Sequence, residues 1–279
     1  MPVTNPKFYE PWSNVPGLFR SRLTLSATDP APAADVVGAS AATLYLVPAT
    51  NYLTDGNNFV VFTADSLSVS LSGIAAGSLY DVFLTGAAGT PALELAAYSR
   101  PLGTLGNVLT KPGDNSRRYL GTIRGQSAGQ CEDSALRRFV WNFHNRVRRQ
   151  LLRQESAGSW TDTTVGYRQA NLSTANMVEL VAGLPASLLD LWCFVTGSTA
   201  GGAVNVRGNI GEDNTTPVAD FRPCMDPVTA GYAGMSMARL TKVPAQGYHF
   251  YTWLEYMGAS GTVTFTGSNF SGLSGVWEC

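Results

Sequence analysis

Short runs in which apolar and polar residues alternate, interrupted every few positions by turn-forming residues, constrain this chain more than any other feature. Over residues 66–72, serine alternates with Leu67, Val69 and Leu71, placing three apolar side chains on one face of a pleated strand and four hydroxyls on the other. Further strand signals lie at residues 44–47, 59–62, 79–84, 93–97 and 119–123, punctuated by Asp55-Gly56, Ala76-Gly77, Ala88-Gly89 and Pro112-Gly113. Residues 22–123 therefore read as a small antiparallel sandwich or barrel.

Strand signals return from about residue 159, at 204–206 and in the aromatic run 248–256. That run sets Tyr248, Phe250, Thr252, Leu254 and Tyr256 on one face and His249, Tyr251, Trp253 and Glu255 on the other. A strand with bulky side chains on both faces is either sandwiched within one core or covered on its second face by another copy. Residues 262–266 are its expected hairpin partner, across a turn containing Gly258 and Gly261.

Between these units the pattern changes period. Asp133 or Ser134 suits an N-cap, and Leu136, Phe139, Val140, Phe143 and Val147 recur at three- and four-residue spacing, which predicts one connecting helix. At the start of the chain, Pro2, Pro6, Pro11 and Pro16 surround Phe8, Tyr9, Trp12 and Phe19 and exclude a helix, leaving an extended arm. So much exposed aromatic surface calls for a surface to lie on, either its own domain or a partner.

The expected fold class is mainly β: two antiparallel β-sandwich or jelly-roll-like domains joined by a short helix, with an extended N-terminal arm. The boundaries are 1–20 for the arm, 21–124 for the N-terminal β domain, 125–154 for a helical, Arg-rich linker and 155–279 for the C-terminal sandwich. A length of 279 residues suits two modest units. The charged fraction of 14% is low against a usual value of roughly 25%, and abundant Gly, Ser, Thr, Ala and Val favour strands and turns over solvent-facing helices.

The net charge of -1 supplies no general field toward nucleic acid or an anionic membrane. No basic n-region precedes an apolar stretch at the start. The longest apolar run, 182–195, is interrupted by Pro185 and Asp190, so neither a secretion signal nor a membrane span is expected. Cys131, Cys193, Cys224 and Cys279 are too far apart for a zinc knuckle or a redox dithiol and read as free thiols, consistent with synthesis in a cytoplasm.

No catalytic constellation emerges. The two histidines, His144 and His249, lack the spacing of a metal site or a nucleophile relay. Glycan-cleaving spikes use two carboxylates, but in Glu132-Asp133 and Glu212-Asp213 the neighbours point in different directions beside helix-start or turn residues. The stretch Gly234-Met-Ser-Met-Ala238 lacks the final glycine of a nucleophile elbow. The expectation is a protein without catalytic residues, metal or cofactor.

One charge feature stands above background. Arg117, Arg118, Arg124, Arg137, Arg138, Arg146, Arg148, Arg149 and Arg153 fall within 37 residues, against Glu132 and Asp133. A phosphate-binding band is one reading, because guanidinium binds phosphate through two parallel bonds. The other is pairing with carboxylates or carbonyls of neighbouring subunits. The scarcity of lysine favours the second and argues against nucleic acid. Arg137, Phe139, Phe143, Arg146 and Arg149 are thus expected at subunit interfaces, with Phe8, Tyr9 and Trp12 docking the arm to a larger particle.

An ordered set of motifs carries a family resemblance. Pro11-Trp-Ser-Asn-Val-Pro-Gly-Leu18 leads into Arg22-Leu-Thr-Leu25, Thr43-Leu-Tyr-Leu-Val-Pro48, Leu79-Tyr-Asp-Val-Phe-Leu84 and Pro91-Ala-Leu-Glu-Leu95. The most distinctive part is Arg117-Arg-Tyr-Leu-Gly-Thr-Ile-Arg124 with Glu132-Asp-Ser134, Arg138-Phe-Val-Trp-Asn142 and Asn145-Arg-Val147. Gly247-Tyr-His249, Trp253-Leu-Glu-Tyr256, Ala259-Ser-Gly-Thr262 and Ser271-Gly-Leu-Ser-Gly275 complete it. Over nearly its whole length the chain resembles a family of tailed-bacteriophage virion structural proteins, of tail-fibre or appendage type. Local departures are Phe143-His144 in place of two tyrosines and Cys131 in place of threonine.

The resemblance implies a particle component located in the virion, a homotrimer with an attachment-proximal N-terminal part and an outward-facing C-terminal β-sandwich. Its partners would be copies of itself, other virion proteins and a host surface glycan, stacked on Tyr and Trp. Two alternatives stay open: an architectural or decoration protein of head, neck or tail, and a glycan depolymerase.

Overall fold

The computed structural model describes residues 21–54, 59–86, 90–201, 204–218, 225–228, 231, 233–259 and 261–279. The arm with Phe8, Tyr9 and Trp12, the Asp55-Gly56 and Ala88-Gly89 turns and Cys224 lie outside the described residues. The described chain is mainly β, and its helical turns are three short 3-10 segments.

In the N-terminal part, Arg22–Thr24, Thr43–Val47 and Leu67–Ser70 form one antiparallel sheet, and Ala49–Thr54 pairs with Phe59–Ala64. A larger sheet runs in the order Ala92–Ala97, Leu79–Thr85, Asp114–Arg124, Val108–Lys111, Gly103–Leu105. On Leu67–Ser70 the serines are exposed while Leu67 and Val69 are half-buried against the core, as the alternation requires.

The C-terminal part is built around two long strands. Leu189–Thr199 pairs along one edge with Ala233–Lys242, and along the other with Gly272–Glu278 and then Val263–Thr266. Gly247–Met257 pairs with Val204–Glu212 on one side, and with Met177–Ala182 and then Gly166–Gln169 on the other. The two sheets face each other. Gly208 of one leaves so little room that a Cβ there would lie 2.9 Å from Val195 of the other, and Trp253 meets Trp160 edge-on at 5.8 Å.

One face of the aromatic strand is closed within the chain and the other is partly covered, with Tyr248, Phe250 and Tyr256 half-buried. Trp253 and Tyr251 enter the joint core, while on the opposite face Tyr248 packs on Phe139 at 6.1 Å and Tyr256 on Tyr167 at 4.6 Å. Its expected hairpin with residues 262–266 does not form. Val263–Thr266 crosses to the facing sheet and pairs with Ser159–Asp162, because Val263 and Phe265 are completely buried there. The Gly258 N–H bonds the Asn205 carbonyl at 3.0 Å, turning the chain into an arch between layers.

The linking helix expected over residues 133–147 is also absent. Arg137–Arg138 pairs in parallel with Met177–Ala182, and Val140–Asn142 pairs antiparallel with Asp114–Arg124, so this segment stitches an N-terminal sheet to a C-terminal one. Phe139, Val140 and Trp141 are all buried, and a strand covered on both faces has no wet face to betray a period of two. Asp133 and Ser134 do not cap a helix: Asp133 accepts from Arg138, and the Ser134 hydroxyl bonds Glu132 and receives the Arg137 N–H. Nearly all the buried apolar residues of both parts belong to one continuous cluster running from Leu23 to Cys279.

Candidate functional site

The arginine band is engaged within its own chain. Asp133 lies between Arg138 (2.8 Å) and Arg149 (3.2 Å), both buried, and Arg149 also donates to the Pro32 carbonyl. Arg137 bonds Glu179 and Glu132. Arg117 pairs with Glu94 and Arg153 donates to Asn176, while Arg118 lies 3.0 Å from His144 Nε2. Arg124 covers the Tyr248 ring at 3.8 Å, and Arg146 reaches the Ala186 carbonyl and the Ser187 hydroxyl. Arg148, with 71% of its side chain exposed, pairs with Glu278 at 3.5 Å.

Of the residues expected at subunit interfaces, Phe139 is wholly buried and Phe143 half-buried between Tyr119 (5.8 Å) and Trp141 (6.4 Å). These side chains hold one protomer together. The band binds the N-terminal sheets, the stitch and the C-terminal strands into one body, through charge-assisted bonds that single pairs of neutral groups would not match.

The acidic pairs are likewise partnered. Glu132 and Asp133 are buried among Arg137, Arg138 and Arg149. The fold brings Glu212, Asp213 and His249 together, with potential ligand atoms within 4.8 Å of one another. The Lys242 ammonium sits 2.6 Å from Glu212, where a cation would bind. Tyr251 also donates to Glu212, and the His249 ring nitrogens contact Asp213 at 2.8 Å and the Ala245 carbonyl at 3.0 Å. Such a set fits an internal cross-link better than a metal centre. Ser236 of the Gly234–Ala238 stretch is buried in the strand Ala233–Lys242, receiving the Gly208 N–H, and forms no elbow.

A different surface has the character of a binding site. Leu189–Thr199 buries Leu189, Leu191, Cys193 and Val195 and turns Asp190, Trp192, Phe194 and Thr196 outward. Trp192 and Phe194 lie nearly parallel, 15° between planes and 6.5 Å between centroids, and the Arg239 guanidinium lies over the Trp192 ring at 4.5 Å. Across the ladder stand Ser274 opposite Trp192, and Gly272 and Met237 opposite Phe194. A cleft of about 400 Å³ opens here, lined on its apolar side by Leu152, Phe194, Met235 and Phe270. Met235 is 54% exposed and Phe270 66%. Its polar side is formed by Gln154, Thr196, Asn269 and Ser274.

No family model matches the chain, and no curated protein does. Among solved structures, one of infectious bursal disease virus, Gx strain, is similar with a TM-score of 0.31 and 11% identity, over 92% of this chain and 70% of that one. The insecticidal delta-endotoxin Cry8Ea1 of Bacillus thuringiensis is similar with a TM-score of 0.26 and 9% identity, over 88% of this chain and 51% of its own length.

The outward aromatic face escaped the sequence reading because residues 182–195 pass for one apolar run. The signal was present in strict alternation from Leu189 to Thr199, with Asp190 and Thr196 marking the wet side. A second cleft, of about 580 Å³, lies between Arg100, Pro101, Leu102, Leu109, Leu184 and Gln246. Its one cation, Arg100, is bound to Asp81 at 2.7 Å and to the Gly183 carbonyl at 2.8 Å, so it serves the junction of the two parts.

Proposed function

We propose that this chain is a structural subunit of a tailed-bacteriophage particle, a fibre or tail-appendage component that attaches to the host and assembles with copies of itself, most simply as a homotrimer. In this reading two antiparallel, jelly-roll-like β-sandwiches form each protomer, the arm of residues 1–20 docks to other virion proteins, and the protein acts by binding without catalysis.

The observation that carries the reading is the outward face of Leu189–Thr199, where Phe194, Met235 and Phe270 remain accessible together around one cleft. Contiguous apolar surface of this kind marks an interaction site. The alternative, an architectural or decoration subunit of head, neck or tail, uses the same face for virion proteins only.

Sedimentation equilibrium of the purified full-length chain tests the proposal. A stable species of three times 29.7 kDa supports the appendage reading; a monomer at high concentration overturns it and favours decoration.

A further inference from the structure

We infer that the cleft between Phe194 and Phe270 binds an uncharged saccharide chain, its sugar faces lying on those two rings. The inference rests on the attachment reading and gives it a ligand class.

Three features converge. The cleft residues are all uncharged, apolar on one side and amide or hydroxyl on the other. Flat aromatic rings with polar groups at the edge suit a ligand that has apolar C–H faces and a belt of hydroxyls. The floor beside Phe194 is also kept bare. A Cβ at Gly272, opposite Phe194, would meet the Arg153 carbonyl at 2.5 Å, so the floor beside the ring carries no side chain.

Charge then selects among saccharides. Asp190 and Arg239, beside Trp192 on this face, neutralise each other through two bonds of 2.8 and 3.0 Å. Arg153 is turned to Asn176 at 2.8 Å. An acidic polysaccharide would lose hydration of its carboxylates here and find no counter-charge. A neutral chain loses only hydroxyl hydration, which Gln154, Asn269 and Ser274 can replace.

The test is calorimetric titration of the full-length chain with neutral hexasaccharides (malto-, cello- and manno-series) and with an acidic one, oligogalacturonate. Binding of a neutral series, weakened about tenfold or more (about 1.4 kcal/mol) by Phe194→Ala and Phe270→Ala, supports the inference. Ser274→Trp, which fills the cleft and removes no aromatic ring, should abolish binding in a chain that still melts normally.

Equal or tighter binding of oligogalacturonate overturns the proposal. So does binding untouched by all three variants, or a Trp192-dependent fluorescence change on raising protein concentration alone, which would make a second copy the occupant. Sugar binding that appears only after deletion of residues 1–20 would make the arm the occupant and overturns it too. A trimer that binds none of the sugars removes the saccharide site and leaves the attachment reading standing; a monomer that binds none removes both.

Discussion

Trp160 donates its indole N–H to Glu255 Oε2 at 2.8 Å, deep between the two C-terminal sheets. Burial raises the carboxyl from its ordinary 4.5 to about 7, against the opposing pull of that bond and of Arg168. The folded state therefore holds a proton that the unfolded chain releases. This contribution is complete below about pH 4.5 and is lost as pH rises through about 7, on the order of 3 kcal/mol in all. Glu255→Gln should remove that downward slope from a plot of unfolding free energy against pH. An unchanged slope would mean that another group titrates.

His144 acts in the opposite sense. Its Nε2 lies 3.0 Å from the Arg118 guanidinium, and burial, then Arg118 and Arg146, lower its pKa from 6.5 to about 3. The unfolded chain takes up a proton that the folded one refuses, so this stability is present above about pH 6.5 and is lost as pH falls toward 3. Between about pH 4.5 and 6.5 the His144 and Glu255 terms cancel in part. His144→Asn should expose the Glu255 slope in that window, measured by urea unfolding at half-unit steps.

What was legible in the sequence follows from which faces are wet. Leu67–Ser70 announces itself because the serines meet solvent, and Leu79–Thr85 and Ala92–Ala97 are bounded by turn residues. In sequence the stitch at residues 137–142 has the pattern of a helix, since burial on both sides erases the alternation and leaves a chance spacing of three and four. Pairing across layers was equally hidden. Nothing local in Val263–Thr266 distinguishes a hairpin partner of Gly247–Met257 from a strand of the opposite sheet, a choice made by the core into which Phe265 fits. The arginine band is visible as a cluster with Glu132 and Asp133, but two further carboxylates that pair with it, Glu94 and Glu179, lie outside it in sequence.

Position in the fold, not the number of ion pairs, should decide what each arginine contributes. Asp133→Asn leaves Arg138 and Arg149 buried without the carboxylate they share, a loss of about 3–5 kcal/mol for a broken buried pair. Glu278→Gln cuts the exposed Arg148 pair and should cost about 0–1 kcal/mol. Chemical denaturation of both variants checks the contrast; equal effects would deny the internal role of Asp133.

The junction between the two parts depends on one missing side chain. At Gly183 a Cβ would sit 2.3 Å from the Trp141 ring and 2.5 Å from the Tyr119 hydroxyl. Neither ring can yield easily, since the Trp141 indole N–H is bonded to Ser187 and the Tyr119 hydroxyl to Thr122. The Gly183 carbonyl moreover receives Arg100, which ties the N-terminal sheet to this loop. Gly183→Ala should therefore cost about 1–3 kcal/mol by overpacking. Because one core is shared, the N-terminal and C-terminal parts should still unfold in a single transition, lowered together. Calorimetry decides: two separated transitions in the variant would show that the parts are coupled through this loop and not through the common core.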